Sequence, residues 1–255
     1  MTGVGGPSGH AERHVLLVGA QRCGTTYLAR ALDAHPQVTL AQPSRPEPKV
    51  WCDPELAARG HEHYDATWFA HAGDDQLMLD KSTSYLEDPE APARAAAALG
   101  EAHVVVVLRD PVARAVSNWR FSTDHGLETR GLEEALRADL TDEQPWDPAT
   151  SSVSPFAYVR RGRYVDHLAP WTTAFPRSTH VLVHEDLLAA PRLVARLAAA
   201  LGVDPDLTPE PAAEPVNRSP GARPVLRGAL RGTLQEYYAA SNAALADSLG
   251  RDLPW

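Results

Sequence analysis

The stretch His14–His35, HVLLVGAQRCGTTYLARALDAH, decides the fold. HVLLVGA is a short apolar run of the kind that forms a strand buried on both faces. Gln21–Thr26 is a turn containing Gly and Thr, and Tyr27–His35 has helical spacing that Pro36 stops. Strand, tight loop and helix in that order open an α/β unit.

The same alternation recurs further along the chain. Val104–Leu108 (VVVVL) reads as a second buried strand, preceded by an Ala-rich helix over 91–99. It leads through Arg109-Asp110-Pro111 into a helix over 112–121. Thr179–Val183 (THVLV) is a third strand, followed by a turn at Glu185-Asp186 and a helix over 191–201. Strands alternating with helices predict α/β architecture, a three-layer α/β/α sandwich around a mostly parallel sheet. Leu140–Pro155 reads as a surface loop, and Asp204–Pro224, with six prolines, as an excursion before an amphipathic helix over 226–249. The polar, Gly-rich residues 1–13 are expected to be flexible, and 14–255 to form one domain.

Composition narrows the function classes. The 255 residues are 44% hydrophobic and 22% charged, ordinary for a globular protein, with a net charge of −9 that argues against coating nucleic acid. Two cysteines, Cys23 and Cys52, make neither a disulfide framework nor a zinc cluster. The N-terminus lacks a basic segment followed by an apolar one, and no apolar run is long enough to span a bilayer. These features predict a cytoplasmic protein with neither nucleic acid nor membrane as partner; its oligomeric state is open. Lys49 and Lys81 are the only lysines among 24 basic residues.

Gly19-Ala20-Gln21-Arg22-Cys23-Gly24-Thr25-Thr26 has the Gly-x4-Gly spacing of a phosphate-cradling loop. It lies between a strand and a helix N-terminus, where unpaired N–H groups and the helix dipole attract an anion. Nucleotide-hydrolysing loops continue Gly-Lys-[Ser/Thr], but here Thr25 takes the lysine position and the nearest cation is Arg22. That substitution disfavours a P-loop kinase. A Gly-containing turn with no ligand is the competing reading.

Arg109-Asp110-Pro111-Val112-Ala113-Arg114-Ala115-Val116-Ser117 follows the VVVVL strand directly. Arg109 belongs at the carboxyl rim where open α/β sheets bind ligands, with Ser117 about two turns into the helix. A guanidinium fork plus a hydroxyl suits a phosphate group. Asp110-Pro111 alone would make an ordinary helix cap, the alternative explanation of the segment.

In order, the two segments resemble the sulfotransferases that use 3′-phosphoadenosine 5′-phosphosulfate (PAPS). There a Gly-Thr-Thr loop holds the 5′-phosphosulfate and an Arg-x7-Ser segment the 3′-phosphate. GRYVDHLAPWTTAFP, VLVHEDLLAAP and NRSPGARP extend the likeness from about Val15 to Trp255. The resemblance implies transfer of a sulfuryl group from PAPS to a hydroxyl of a small-molecule or glycan acceptor, with adenosine 3′,5′-bisphosphate (PAP) as product and no metal. It assigns nucleotide contacts to Arg22, Cys23, Gly24, Thr25, Thr26, Tyr27, Arg109 and Ser117, and to Ser219, Gly221 and Arg223 of the late Pro-rich loop. Arg22 stands where many members carry lysine; its high pKa limits it to electrostatic help for the leaving phosphate. Arg22, Arg109, Arg114 and Arg223 together supply the cations that a polyanion needs on a chain of net negative charge. A P-loop kinase and a non-catalytic nucleotide-binding regulator are the alternative functions.

Arg45-Pro46-Glu47-Pro48-Lys49-Val50-Trp51 resembles the family segment that carries the general base. This likeness nominates Glu47, with Lys49 beside it, although a solvated charged loop would look similar. Asp80-Lys81-Ser82-Thr83-Ser84-Tyr85 resembles another site-lining stretch and puts Lys81 near the sulfate or the acceptor. His61, His63 and His71 complete no metal-ligand spacing. Tyr64, Trp68 and Phe69 are expected to pack a lid or line an aromatic acceptor pocket.

Overall fold

Both phosphate-type motifs sit at the carboxyl edge of a five-stranded sheet. The computed structural model describes residues 13–147, 153–190, 192–209 and 224–255. Strands β1 (His14–Gly19), β2 (Val38–Leu40), β3 (Leu77–Lys81), β4 (His103–Leu108) and β5 (Thr179–Val183) lie in the order β2-β3-β1-β4-β5, every neighbouring pair parallel. The helices are α1 (Thr25–Asp33), α2 (Pro54–Ala57), α3 (Gly60–Trp68), α4 (Ala91–Leu99), α5 (Pro111–Asp124), α6 (Leu132–Thr141), α7 (Tyr164–Ala174), α8 (His184–Ala189), α9 (Arg192–Ala200) and α10 (Gly228–Leu249). They cover the sheet in two layers: α1 packs on α9, while α4 and α10 both pack on α7.

The expected α/β/α sandwich is thus present, with the apolar runs at its centre. Val15, Leu16, Leu17 and Val18 are fully buried, as are Val104–Leu108 of β4. Each such side chain stabilises the fold by about 1.5–3 kcal/mol relative to exposure. Two strands, β2 and β3, add to the three expected ones. β2 is only three residues long and β3 ends in Asp80-Lys81, so neither shows a run long or apolar enough to stand out. Residues 184–189 form a helix rather than the expected turn; Glu185 and Asp186 fall in its first turn, where acidic side chains favour the helix dipole.

The topology creates one switch point. From β1 the chain turns through α1 toward β2, and from β4 it turns through α5 toward β5. The loops after these adjacent strands diverge, opening the crevice where doubly wound sheets bind ligands. Gly19 is needed at the base of the crevice, because a Cβ there would lie 2.7 Å from Leu86 Cβ. Residues 1–12 of the expected flexible start lie outside the described residues, whereas Arg13 is anchored by hydrogen bonds to the Gly73 and Gln76 carbonyls.

Candidate active site

The loop after β1 ends in an open helix start. Gly24 occupies the N-cap position of α1 in the left-handed region (φ 92°) and supplies no side-chain cap, so the first N–H groups of α1 point into the crevice. A side chain at Gly24 would be strained by that φ, and its Cβ would come within 2.6 Å of His184 Nδ1. α5 begins differently: Asp110 caps it by accepting from Val112 N at 2.9 Å, with Pro111 following, as its sequence predicts. Of the two helix starts flanking the switch point, α1 is the one left for an external anion.

Arg22 also has positive φ (67°) and projects toward α5. Its Nε donates to Ser117 Oγ at 3.4 Å, and its guanidinium lies 4.6 Å from the Phe121 ring centroid. Arg109 Nη1 donates to the Arg22 carbonyl at 3.3 Å, while Arg109 Nε is buried with no hydrogen-bond partner among the described residues. Burial, then the neighbouring Arg109 charge, pulls the Arg22 guanidinium below its ordinary pKa. Among the described residues no carboxylate lies within 4.0 Å of either arginine. The structure therefore unites Arg22, Arg109 and Ser117, residues up to 95 positions apart.

The other expected loop contacts are distributed unequally. Thr25 and Thr26 lie in the first turn of α1, and Tyr27 is half-buried one residue further on. Cys23 turns inward: its Sγ is buried 3.7 Å from Tyr164 OH, and burial pushes the thiol up to about 11. Its backbone N–H donates to the Ala20 carbonyl at 3.3 Å. Ser219, Gly221 and Arg223 lie outside the described residues.

Across the crevice stands an acid–base group. Thr26, Arg45, Pro48 and Lys81 line one small cavity of about 90 Å³. Lys81, at the end of β3 and paired in register with Leu17 of β1, forms an ion pair with Glu47. Glu47 Oε2 also accepts from Thr83 N at 3.0 Å and from Thr83 Oγ1 at 3.1 Å. Lys49 has a left-handed backbone (φ 53°), and its N–H donates to Ser82 Oγ at 3.0 Å. Ser82 Oγ in turn donates to Asp80 Oδ1 at 2.7 Å. Asp80, fully buried, also accepts from Tyr64 OH and Tyr85 OH, each at 2.8 Å. Burial pushes its carboxyl up to about 6 despite these three donors.

Sequence reasoning missed this role of Asp80, as it missed Thr83 as the donor to Glu47. It also misplaced the aromatics. Tyr64 and Phe69 are core residues, Tyr64 packing 4.9 Å from Trp51 and 5.4 Å from Phe69, rather than walls of an acceptor pocket. Trp68 is half-buried against the same cluster. The hydroxyl Tyr64 needs to satisfy is served by Asp80, which explains a tyrosine in the core. His71 is held by Thr39 Oγ1 and the Leu40 carbonyl, each at 3.1 Å, and His63 lies beside Arg59. Among the described residues no three His, Cys, Asp or Glu side chains converge as metal ligands, and no helix is long and apolar enough to cross a membrane.

Comparison with known proteins agrees with this geometry. The family model described as the sulfotransferase domain matches residues 12–207. The human heparan sulfate glucosamine 3-O-sulfotransferase 6 is 30% identical over 192 residues, which are 72% of this chain and 50% of that protein. The bovine bifunctional heparan sulfate N-deacetylase/N-sulfotransferase 2 is 29% identical over 175 residues, 66% of this chain and 19% of its own length. The chain thus spans half or less of these relatives. Among solved structures, a sulfotransferase from Alicyclobacillus acidocaldarius superposes with a TM-score of 0.77 at 23% identity, covering 94% of this chain and 96% of the other. A sulfotransferase domain from the curacin biosynthetic pathway superposes at 0.52 and 14% identity over 94% of this chain. With the family model covering most of its length and the phosphate-type loops in place at the switch point, the chain belongs to the sulfotransferase domain family.

Proposed function

We propose that the chain is a PAPS-dependent sulfotransferase acting on a hydroxyl of a glycan or other small-molecule acceptor. The observation that carries the reading is the convergence of Arg22, Arg109 and Ser117 on the open N-terminus of α1, with no carboxylate of the described residues beside either arginine. The donor set consists of guanidinium, hydroxyl and backbone N–H groups, which suits a phosphosulfate and a 3′-phosphate rather than a metal ion. The orphaned Arg109 Nε is a donor in want of an acceptor. Arg22, Gly24, Thr25 and Thr26 would hold the 5′-phosphosulfate, with Cys23 shaping the loop from within and Tyr27 at the edge. Arg109 and Ser117 would take the 3′-phosphate, and Ser219, Gly221 and Arg223 would close over the nucleotide.

Glu47 is the general base, held by Thr83 and by Lys81, whose side chain lines the cavity together with Thr26. It accepts the acceptor's hydroxyl proton as that oxygen bonds to sulfur. The bridging S–O bond breaks, and its electron pair leaves with PAP. Arg22 neutralises the charge that develops on the leaving phosphate, and Lys49 and Lys81 supply positive charge around the transferring group. The sugar-type acceptor draws support from the 3-O- and N-sulfotransferase relatives, which act on heparan sulfate by name. Free thiols at Cys23 and Cys52 suit a reducing, cytoplasmic setting, and residues 14–255 act as one domain.

The test is a melting-temperature comparison. PAP at a concentration about 100 times its Kd stabilises by about 2.7 kcal/mol. PAP is expected to raise Tm well beyond AMP or ATP–Mg²⁺, and ³⁵S-labelled PAPS is expected to label glycan acceptors. Equal stabilisation by ATP–Mg²⁺ would overturn the reading in favour of a nucleotide kinase.

A further inference from the structure

Beneath the phosphate loop lies a cation that touches none of the proposed ligand positions. Arg114 is on α5, one turn before Ser117, and is 0% exposed. Its Nη2 donates to the Tyr158 carbonyl, while Nε and Nη1 are buried without a hydrogen-bond partner among the described residues. Two buried charges nearby have charged partners. Arg161 pairs with Glu87 at 2.6 Å and donates to Gln21 of the loop at 3.0 Å. Asp139 accepts from Val159 N and faces Arg160 at 4.0 Å. No carboxylate of the described residues lies within 4.0 Å of Arg114. Burying a guanidinium without a counter-charge in ion-pair range carries a desolvation penalty.

We propose that Arg114 is a third cation of the donor site, a positioning residue whose buried charge is compensated chiefly by the bound nucleotide's phosphates. This inference rests on the PAPS reading above. Arg114 works through the field behind the loop, not by contact: its charge is felt at Arg22 and Cys23 of that loop, and also at Asp139, Arg161, Tyr164 and Tyr238. In a low-dielectric interior such a charge attracts an anion several ångströms away far more strongly than a solvated arginine does. The apo protein carries the cost, and the ligand removes it.

The two consequences have opposite signs, which separates this role from a merely structural one. Arg114→Gln keeps an amide donor for the Tyr158 carbonyl and deletes the charge. PAP binding by calorimetry on the full chain is expected to weaken about tenfold, while the Tm of the ligand-free protein holds or rises. Arg114→Lys, which keeps the charge, is expected to restore most of the affinity. Unchanged PAP affinity in Arg114→Gln overturns the proposal, as does a parallel fall in apo Tm and affinity that Lys does not rescue. If Arg114→Gln does not fold, Asp139→Asn carries the test, because Asp139 is a buried negative charge that Arg114 feels. Its removal is expected to tighten PAP binding, and looser binding overturns the idea. If the wild-type chain ignores PAP, the donor reading itself fails. The same measurements with pyrophosphate as probe then decide the part played by Arg114.

Discussion

The two sides of the crevice handle charge in opposite ways. On the β1–β4 side, Arg22, Arg109 and Arg114 have no carboxylate of the described residues within 4.0 Å. On the β3 side, Glu47 is met by Lys81 and Thr83, and Asp80 by three hydroxyls. Among the described residues one side is a cation cluster with no carboxylate in ion-pair range and the other a closed hydrogen-bonded network. Under the proposed function the first side is where a polyanion adds the missing charge, whereas the second is preorganised by its own residues.

Substitutions can break that division. The largest effect is expected from Glu47→Gln, which should lower turnover with an identified acceptor about 1000-fold while leaving PAP affinity by calorimetry close to wild type. Equal losses of turnover and PAP affinity would mean that the two sides are not separate. Arg22→Ala is expected to cost about 100-fold in turnover and to weaken PAP binding as well, since its guanidinium serves both; a variant that turns over normally would remove Arg22 from the chemistry. Ser117→Ala removes a single hydroxyl contact, and PAP affinity is expected to fall about fivefold. No change would place the 3′-phosphate elsewhere.

The smallest effect sharpens the β3 side. The Asp80 carboxyl sits at about 6 in the fold against its ordinary 3.8, raised by burial. A raised carboxyl pKa means that the fold binds the proton more tightly than the unfolded chain does. This group's contribution is complete below about pH 4 and lost as pH rises through about 6. The wild-type Tm is therefore expected to gain a few degrees on that of Asp80→Asn as pH falls from about 7 to about 4. A difference in Tm that stays flat across that range would show that Asp80 does not titrate there.

Much of the fold was legible locally. The runs HVLLVGA and VVVVL became β1 and β4, and the Asp110-Pro111 cap opened α5 where expected, because buried parallel strands and helix caps leave their marks in a few adjacent residues. β3 was not legible, because its apolar run, Leu77–Leu79, is only three residues long before the charged Asp80-Lys81. The aromatics misled for a related reason: a Tyr, Trp or Phe looks the same in a sequence whether it lines a pocket or packs a core. Only the contact of Tyr64 with Asp80 and Trp51 shows which.

By itself the sequence determined the two phosphate-type loops, their strand-to-helix setting and the family likeness, since each depends on residues within about ten positions of one another. The tertiary structure alone decided which distant residues share a site. The order β2-β3-β1-β4-β5 puts β3 beside one flank of β1 and β4 beside the other. Lys81 and Arg109 therefore arrive at opposite walls of a single crevice, and Arg22 meets a serine 95 residues away. Strand order is set by long-range pairing and crossover handedness, which no local pattern encodes. The same packing buries Arg114 of α5 and leaves its Nε and Nη1 without a hydrogen-bond partner among the described residues.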